Sequence, residues 1–122
     1  MSQPTTTAIY DHAGSLARMG DDIELFGEMA NYLASDGQQW LVEIQGALEE
    51  DDIAVVAHRA HALKGLSSNF GECRAWRAAA RVETLARQGQ RDELGSSVVV
   101  LESTLNELLG ALSPYLSEQS DE

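Results

Sequence analysis

Apolar residues recur three and four positions apart along almost the whole chain, and this helical period constrains the fold more than any other feature of the sequence. No stretch alternates apolar and polar residues as a half-buried strand would, and no repeat or low-complexity tract is present. Of the 122 residues, 43% are apolar and 23% are charged, as in a folded helical domain. The pattern predicts an all-α protein of one domain.

Capping and turn residues divide this periodic pattern into helices. Asp21 and Asp22 are N-cap candidates for the second helix, and Pro114 ends the last one. Because the apolar phase is kept across Gly37, we predict one long bent helix there rather than two collinear ones. The predicted helices cover residues 13–19, 23–48, 53–69, 72–87 and 91–113. Together they predict an antiparallel four-helix bundle with a short N-terminal cap helix.

The two ends of the chain differ in composition from the part between them. Residues 1–11 are polar and Thr-rich, and we expect a flexible N-terminal arm there. Residues 12–114 carry the helical period and are expected to form the bundle. Residues 115–122 are rich in acidic side chains and are expected to form a C-terminal tail, although Tyr115 and Leu116 could still pack against the bundle.

Charge and cysteine content exclude several classes of partner and location. Eight Lys and Arg against twenty Asp and Glu give a formal charge of −12, which opposes binding to nucleic acid. No apolar run approaches the roughly 18 residues that a membrane span needs. A lone Cys73 cannot form an internal disulfide, and the N-terminus lacks the features of a signal peptide. We therefore expect a cytoplasmic protein with no membrane contact, and we expect Cys73 to be a small buried hydrophobe.

The stretch from Ala60 to Gly71 carries the residues with the most chemistry, and we interpret His61 as the working residue. At about 100° per residue, two sets of side chains separate on this helix. The set expected to be buried comprises Val56, Ala60, Leu63 and Ser67. The set expected to be exposed comprises Ala54, Ala57, His61, Lys64, Gly65 and Ser68. Small neighbours one turn away on each side leave the imidazole open to another protein, and Lys64 supplies a nearby cation.

The pattern His61-x-x-Lys64-Gly65-x-Ser67-Ser68-x-x-Gly71 resembles the signature of histidine-containing phosphotransfer (HPt) domains. Residues 16–22 and the apolar segment after them are also similar to the start of that family, so the resemblance spans most of the chain. Leu66 departs from the pattern, since the family commonly has a small residue there, and we expect tighter packing at that point. The resemblance implies a phosphorelay intermediate that accepts a phosphoryl group from an aspartyl phosphate and passes it to a response-regulator receiver.

The resemblance also implies roles for individual residues. His61 would carry the phosphoryl group on Nε2, because a neutral imidazole offers a ring nitrogen lone pair. Lys64 would stabilise the phosphoryl oxygens, Gly65 would leave room for the receiver, and Ser68 would be a polar contact. Glu83 would orient the ring through Nδ1, with an ordinary exposed glutamate as the alternative.

Further residues are candidates for contact with the partner. The expected receiver-binding residues are Ala57, His58, Arg77 and Arg81, with a solvated face as the alternative for the two arginines. No carboxylate cluster accompanies His61 in the sequence, so we expect no cofactor on this chain and Mg²⁺ in the partner receiver. The partners implied are receiver domains and a hybrid histidine kinase, and a bundle of this size favours a monomer.

Two other classes of function stay open at this point. A helical adaptor could use the same surface to sequester a receiver or another regulator without being phosphorylated. A metal-binding bundle would use His58 and His61 as ligands and requires both to point inward, against the apolar phase. Since the sequence shows neither a hydrolytic triad nor a nucleotide-binding loop, we expect a carrier without independent turnover rather than an enzyme.

Overall fold

A computed structural model describes residues 9–116, and within this range every regular element is helical. A wide π-type turn, Leu33–Gly37, joins the second and third helices, and short 3₁₀ turns follow the fourth and the sixth at Ser68–Phe70 and Ser113–Tyr115. The α-helices are α1 (His12–Arg18), α2 (Ile23–Tyr32), α3 (Gln38–Glu49), α4 (Ile53–Ser67), α5 (Arg74–Gln88) and α6 (Arg91–Leu112). The all-α prediction is confirmed. None of the helices between residues 9 and 116 combines the length and the apolar character that crossing a membrane requires.

Local sequence signals set most helix boundaries. The Asp22 carboxylate accepts hydrogen bonds from the backbone N–H groups of Glu24 and Leu25 at 3.0 and 3.1 Å, so it caps α2 as expected for an N-cap aspartate. Gly89 ends α5 in the left-handed conformation, with φ at 69°, which glycine adopts without steric cost. The predicted helix starts and ends lie within two residues of the observed ones.

The long helix across Gly37 is continuous, as predicted, but it is not a regular α-helix. Its π-type turn carries helical dihedral angles into both neighbours, α2 and α3. A Cβ on Gly37 would lie 3.0 Å from Leu33 Cδ1 and 3.4 Å from Leu63 Cδ2, so the glycine permits a close approach to α4. Beyond this turn α3 packs against α4, whereas α2 contacts α1 and the 3₁₀ turn after α6.

The core lies along the middle of a helical bundle in which α4 packs against both α3 and α5, and α5 packs against α6. Its largest fully buried side chains include Phe26, Leu33, Ile44, Leu63, Phe70, Val82, Leu94, Leu101, Leu105, Leu108 and Leu112. Cys73 is buried as predicted, and Ser67 faces inward with 1% of its surface exposed. Because α4 has neighbours on two sides, a broad arc of its surface is covered.

An aromatic cluster joins the two ends of the described chain, and it includes a residue of the predicted N-terminal arm. Tyr10 contacts the buried rings of Phe26 and Phe70, His12 contacts Phe26, and Tyr115 stacks on His12 at a centroid distance of 5.2 Å. Ile9 and Tyr10, placed in the arm by the sequence, therefore pack against the core. The rest of the predicted arm, residues 1–8, and residues 117–122 of the predicted tail lie outside the described residues.

Candidate functional site

His61 lies in the middle of α4 with 61% of its side chain exposed. One turn later, a Cβ on Gly65 would meet no atom within 4 Å, so the surface beside the imidazole is open on that side. Ser68 is exposed at the following turn, where its hydroxyl donates to the Gly65 carbonyl at 2.6 Å. That hydroxyl is therefore already engaged by a backbone carbonyl one turn earlier.

Helix α5 brings a buried carboxylate against this face of α4. Glu83 is 7% exposed, and its Oε2 lies 2.9 Å from Nδ1 of His61. The Lys64 ammonium lies 2.9 Å from the other oxygen, Oε1. Arg87, one turn further along α5, reaches Oε2 through Nη2 at 2.9 Å and Nε at 3.0 Å. We call His61, Lys64, Glu83 and Arg87 the Glu83 cluster.

The surroundings of Glu83 decide its protonation state. Burial by itself raises the pKa of a carboxyl group, but hydrogen bonds from Lys64, Arg87 and His61, together with the charge of Lys64, outweigh burial and lower the pKa of Glu83 from 4.5 to about 2. The group is thus a carboxylate throughout the physiological pH range. Its negative charge is held at the Nδ1 edge of the imidazole.

An ionised carboxylate fixes the tautomer of the histidine. Because a carboxylate only accepts hydrogen bonds, Nδ1 of neutral His61 must carry the ring proton and donate it to Glu83. The lone pair of the neutral ring then belongs to Nε2. Among residues 9–116 no hydrogen-bond partner occupies Nε2, so the site presents a nucleophilic nitrogen on an open surface.

The model of the Hpt domain family matches residues 28–112, a range that contains the whole Glu83 cluster. The chain belongs to the Hpt domain family. Comparison with curated proteins and with solved structures gave no match. Membership implies a general role in histidine phosphotransfer within phosphorelays and interaction with receiver domains. Members of the family are generally carriers of the phosphoryl group rather than enzymes.

The structure of this HPt domain places one predicted contact residue differently from the sequence prediction. Ala57 was expected on the exposed stripe, but it is buried with 7% exposure. At about 100° per residue it lies only about 60° from the fully buried Ala60, on the flank of α4 that faces α5. The face of α4 that carries His61 therefore lies next to the buried face rather than opposite it. Because Lys64 is on the same face as His61, it can reach Glu83.

Arg87 is the residue of the cluster that the sequence prediction missed. It was not among the candidate site residues, yet its guanidinium shares an oxygen of Glu83 with His61. Its position four residues after Glu83 on the same helix face is the signal that could have found it. The alternative of an ordinary exposed Glu83 is wrong, because that side chain is 9% exposed and has three partners.

The structure does not bring the other predicted contact residues into the cluster. Arg77 is exposed, and Arg81 pairs with Glu93 of α6 at 2.6 Å. His58 is exposed one turn before His61, where it borders a depression of about 510 Å³. The depression is lined by Ile53, Ala54, Ala57, His58, Ala86 and Arg87. The receiver-binding roles of these residues stay predictions.

The histidines do not form part of a metal site in the described structure. Between residues 9 and 116, no three His, Cys, Asp or Glu side chains lie close enough to hold a metal ion. His58 and His61 both point outward rather than into the bundle, contrary to what the metal-binding reading requires.

Proposed function

We propose that this chain is a phosphorelay intermediate that accepts a phosphoryl group on Nε2 of His61 from an aspartyl phosphate of a receiver domain and passes it to a response-regulator receiver. The observation that carries the proposal is the 2.9 Å contact between Nδ1 and the Glu83 carboxylate. It gives the imidazole the tautomer with a free lone pair on Nε2, at the ring edge that faces solvent.

The proposed transfer needs no proton to move. The Nε2 lone pair attacks phosphorus, the P–N bond forms, and the P–O bond to the aspartate breaks with its electron pair returning to that carboxylate. His61 keeps its proton on Nδ1, so the phosphorylated ring carries a positive charge beside the negative charge of Glu83. When the P–N bond breaks in the next transfer, the electron pair returns to Nε2 and the ring is neutral again. The reaction is therefore readily reversible, as a carrier requires.

The remaining motif residues support this step in different ways. Lys64, one turn from His61, would stabilise the negative oxygens of the phosphoryl group. Gly65 would let the partner's backbone approach, since no atom of this chain fills the space that a side chain would take. Ser68 would offer a polar contact at the edge. Mg²⁺ is proposed to be bound by the acidic pocket of the partner receiver, where it neutralises phosphoryl charge.

The proposal extends to the arrangement of the helices and to the partners. Turns of two or three residues join α4 to its predecessor and α6 to α5, which supports an antiparallel four-helix bundle capped by α1. An ion pair of 2.7 Å between Asp51 and Arg91 ties the turns at one end together, in keeping with that topology. We further propose a cytoplasmic monomer that works with a hybrid histidine kinase and with at least one receiver as acceptor, and that has no turnover of its own.

Transfer of a radiolabelled phosphoryl group tests the proposal. A phosphorylated receiver domain with Mg²⁺ should label the wild-type chain, and the label should be labile in acid and stable in base, as expected of a phosphoramidate. His61→Gln should abolish the label, whereas His58→Gln, which changes an exposed histidine one turn away, should retain it. No label on folded wild-type protein with several receivers would refute the carrier function and favour the adaptor without phosphorylation.

A further inference from the structure

Glu83 has more cations around it than its charge requires. Lys64 contacts Oε1 and Arg87 contacts Oε2, so two positive charges surround one carboxylate when the imidazole of His61 is in the neutral form that attacks phosphorus. The side chains of Lys64 and Arg87 are 30% and 59% exposed, against 9% for Glu83. The Glu83 cluster therefore has a net charge of about +1 before any phosphoryl group arrives.

Phosphorylation would bring the net charge of the cluster close to zero. A phosphoryl group adds between one and a half and two negative charges, by the order-of-magnitude figure for phosphorylated side chains. The ring of His61 gains one positive charge, because Nδ1 keeps its proton. One of the two cations can then leave Glu83 for the phosphoryl oxygens, provided that the other cation stays and keeps the carboxylate ionised and in place.

The geometry distinguishes which cation moves. Lys64 sits on α4 with His61 and makes a single contact to Glu83 through a flexible side chain. Arg87 lies on α5, four residues after Glu83, and directs two nitrogens to the oxygen that also accepts from His61. The planar guanidinium is suited to hold a carboxylate in one orientation, whereas an ammonium acts as a mobile point charge.

We propose that Arg87 is a positioning residue that holds the Glu83 carboxylate against Nδ1 of His61 while Lys64 moves to the phosphoryl group. The inference rests on the proposed function and assigns a different role to each of the two cations. Without Arg87, Lys64 is the only cation left on Glu83, and its departure would leave a buried carboxylate with the imidazole alone. Lys64 would then stay where it is and contribute little to transfer.

A double-mutant cycle on the initial rate of phosphoryl acceptance tests this coupling. In the wild-type background Lys64→Ala should slow acceptance about tenfold, the scale of one charge-assisted hydrogen bond. Arg87→Gln should slow it about tenfold as well, and the double variant should be no more than about twofold slower than either single variant. Arg87→Lys keeps the charge but lacks the planar guanidinium, so its acceptance rate should stay within about threefold of Arg87→Gln and well below wild type.

Arg74→Gln is the matched control for loss of a cation from α5. Arg74 has 58% of its side chain exposed, against 59% for Arg87, and pairs with Glu107 at 3.5 Å. It lies thirteen residues before Arg87, about 20 Å along the helix. Its removal should leave the acceptance rate unchanged, and urea unfolding of every variant should show a folded protein.

The outcomes separate this inference from the proposed function. Labelled wild type together with wild-type rates for Arg87→Gln would overturn the inference alone. Additive effects of Lys64→Ala and Arg87→Gln would also overturn it, because independent contributions multiply to about a hundredfold loss. A wild-type rate for Arg87→Lys would contradict positioning by the planar guanidinium, because an ammonium would then serve equally well. Unlabelled wild type would overturn both the proposed function and the inference.

Discussion

Replacing Glu83 with glutamine keeps the size of the side chain and removes its charge, so it isolates the electrostatic part of the Glu83 cluster. The pKa of Glu83 falls from 4.5 to about 2 on folding. At about 1.36 kcal/mol per pKa unit, this shift corresponds to about 3 kcal/mol of stability at pH 7. We expect Glu83→Gln to lower the free energy of unfolding by up to this amount at neutral pH.

The sign of the pH dependence follows from the lowered pKa. A carboxyl group with a depressed folded pKa stabilises the fold above its unfolded pKa, and the stabilisation is lost as the pH falls through the folded pKa. At pH 3 the Glu83 carboxyl group is mostly protonated in the unfolded chain, whereas it is still mostly ionised in the folded protein. About 2 of the 3 kcal/mol should then be gone by the linkage relation. The gap between wild type and Glu83→Gln should therefore shrink between pH 5 and pH 3.

Urea unfolding followed by far-UV circular dichroism at pH 7, 5, 4 and 3 measures this gap directly. Comparing two proteins at each pH cancels the titration of the other carboxylates. Glu102→Gln, at an exposed position of α6, is the matched control and should stay within about 0.5 kcal/mol of wild type. A gap below about 0.5 kcal/mol at pH 7, or one that does not change between pH 7 and pH 3, would refute the reasoning.

Two glycines allow contrasting predictions for stability. Gly65→Ala should raise the free energy of unfolding by about 0.5–1 kcal/mol, because its Cβ meets nothing and alanine is the better helix former, while slowing transfer with a receiver. Urea unfolding and the label assay check this pair of effects, and unchanged transfer would show that the partner does not approach there. Gly37→Ala should fall short of the gain from Gly46→Ala by about 1 kcal/mol or more, since its Cβ would lie 3.0 Å from the buried Cδ1 of Leu33. Gly46→Ala, with open space around its Cβ, serves as the control in the same unfolding assay.

Features set by neighbouring residues could be predicted from the sequence. Asp22 caps α2 through backbone groups two and three residues away, and Gly89 stops α5 by its own conformation. The exposure of His61 likewise follows from the period of α4 alone. In each case the interactions that decide the outcome lie within one or two turns, so sequence spacing is enough.

Features set by packing between helices could not be predicted with the same certainty. The burial of Ala57 depends on how closely α5 approaches the flank of α4. The contact between Glu83 and His61 spans 22 positions in the sequence, and Arg87 joins it only because both helices present these side chains at the same level. The sequence suggested the Nδ1 contact only through the family resemblance. The π-type turn after Tyr32 gave no signal at all, since the apolar phase is equally consistent with a regular helix.

Most rings of the aromatic cluster lie outside the part of the chain that the family model describes. Its rings at Tyr10, His12, Phe26 and Tyr115 all lie outside residues 28–112, the range that the family model matches, and only Phe70 lies within it. The Glu83 cluster lies wholly within that range. The family model therefore covers the residues around His61, but it does not cover most of the rings that close this end of the core. Chimaeras that exchange this end of the bundle should therefore change in stability while they keep the Glu83 cluster.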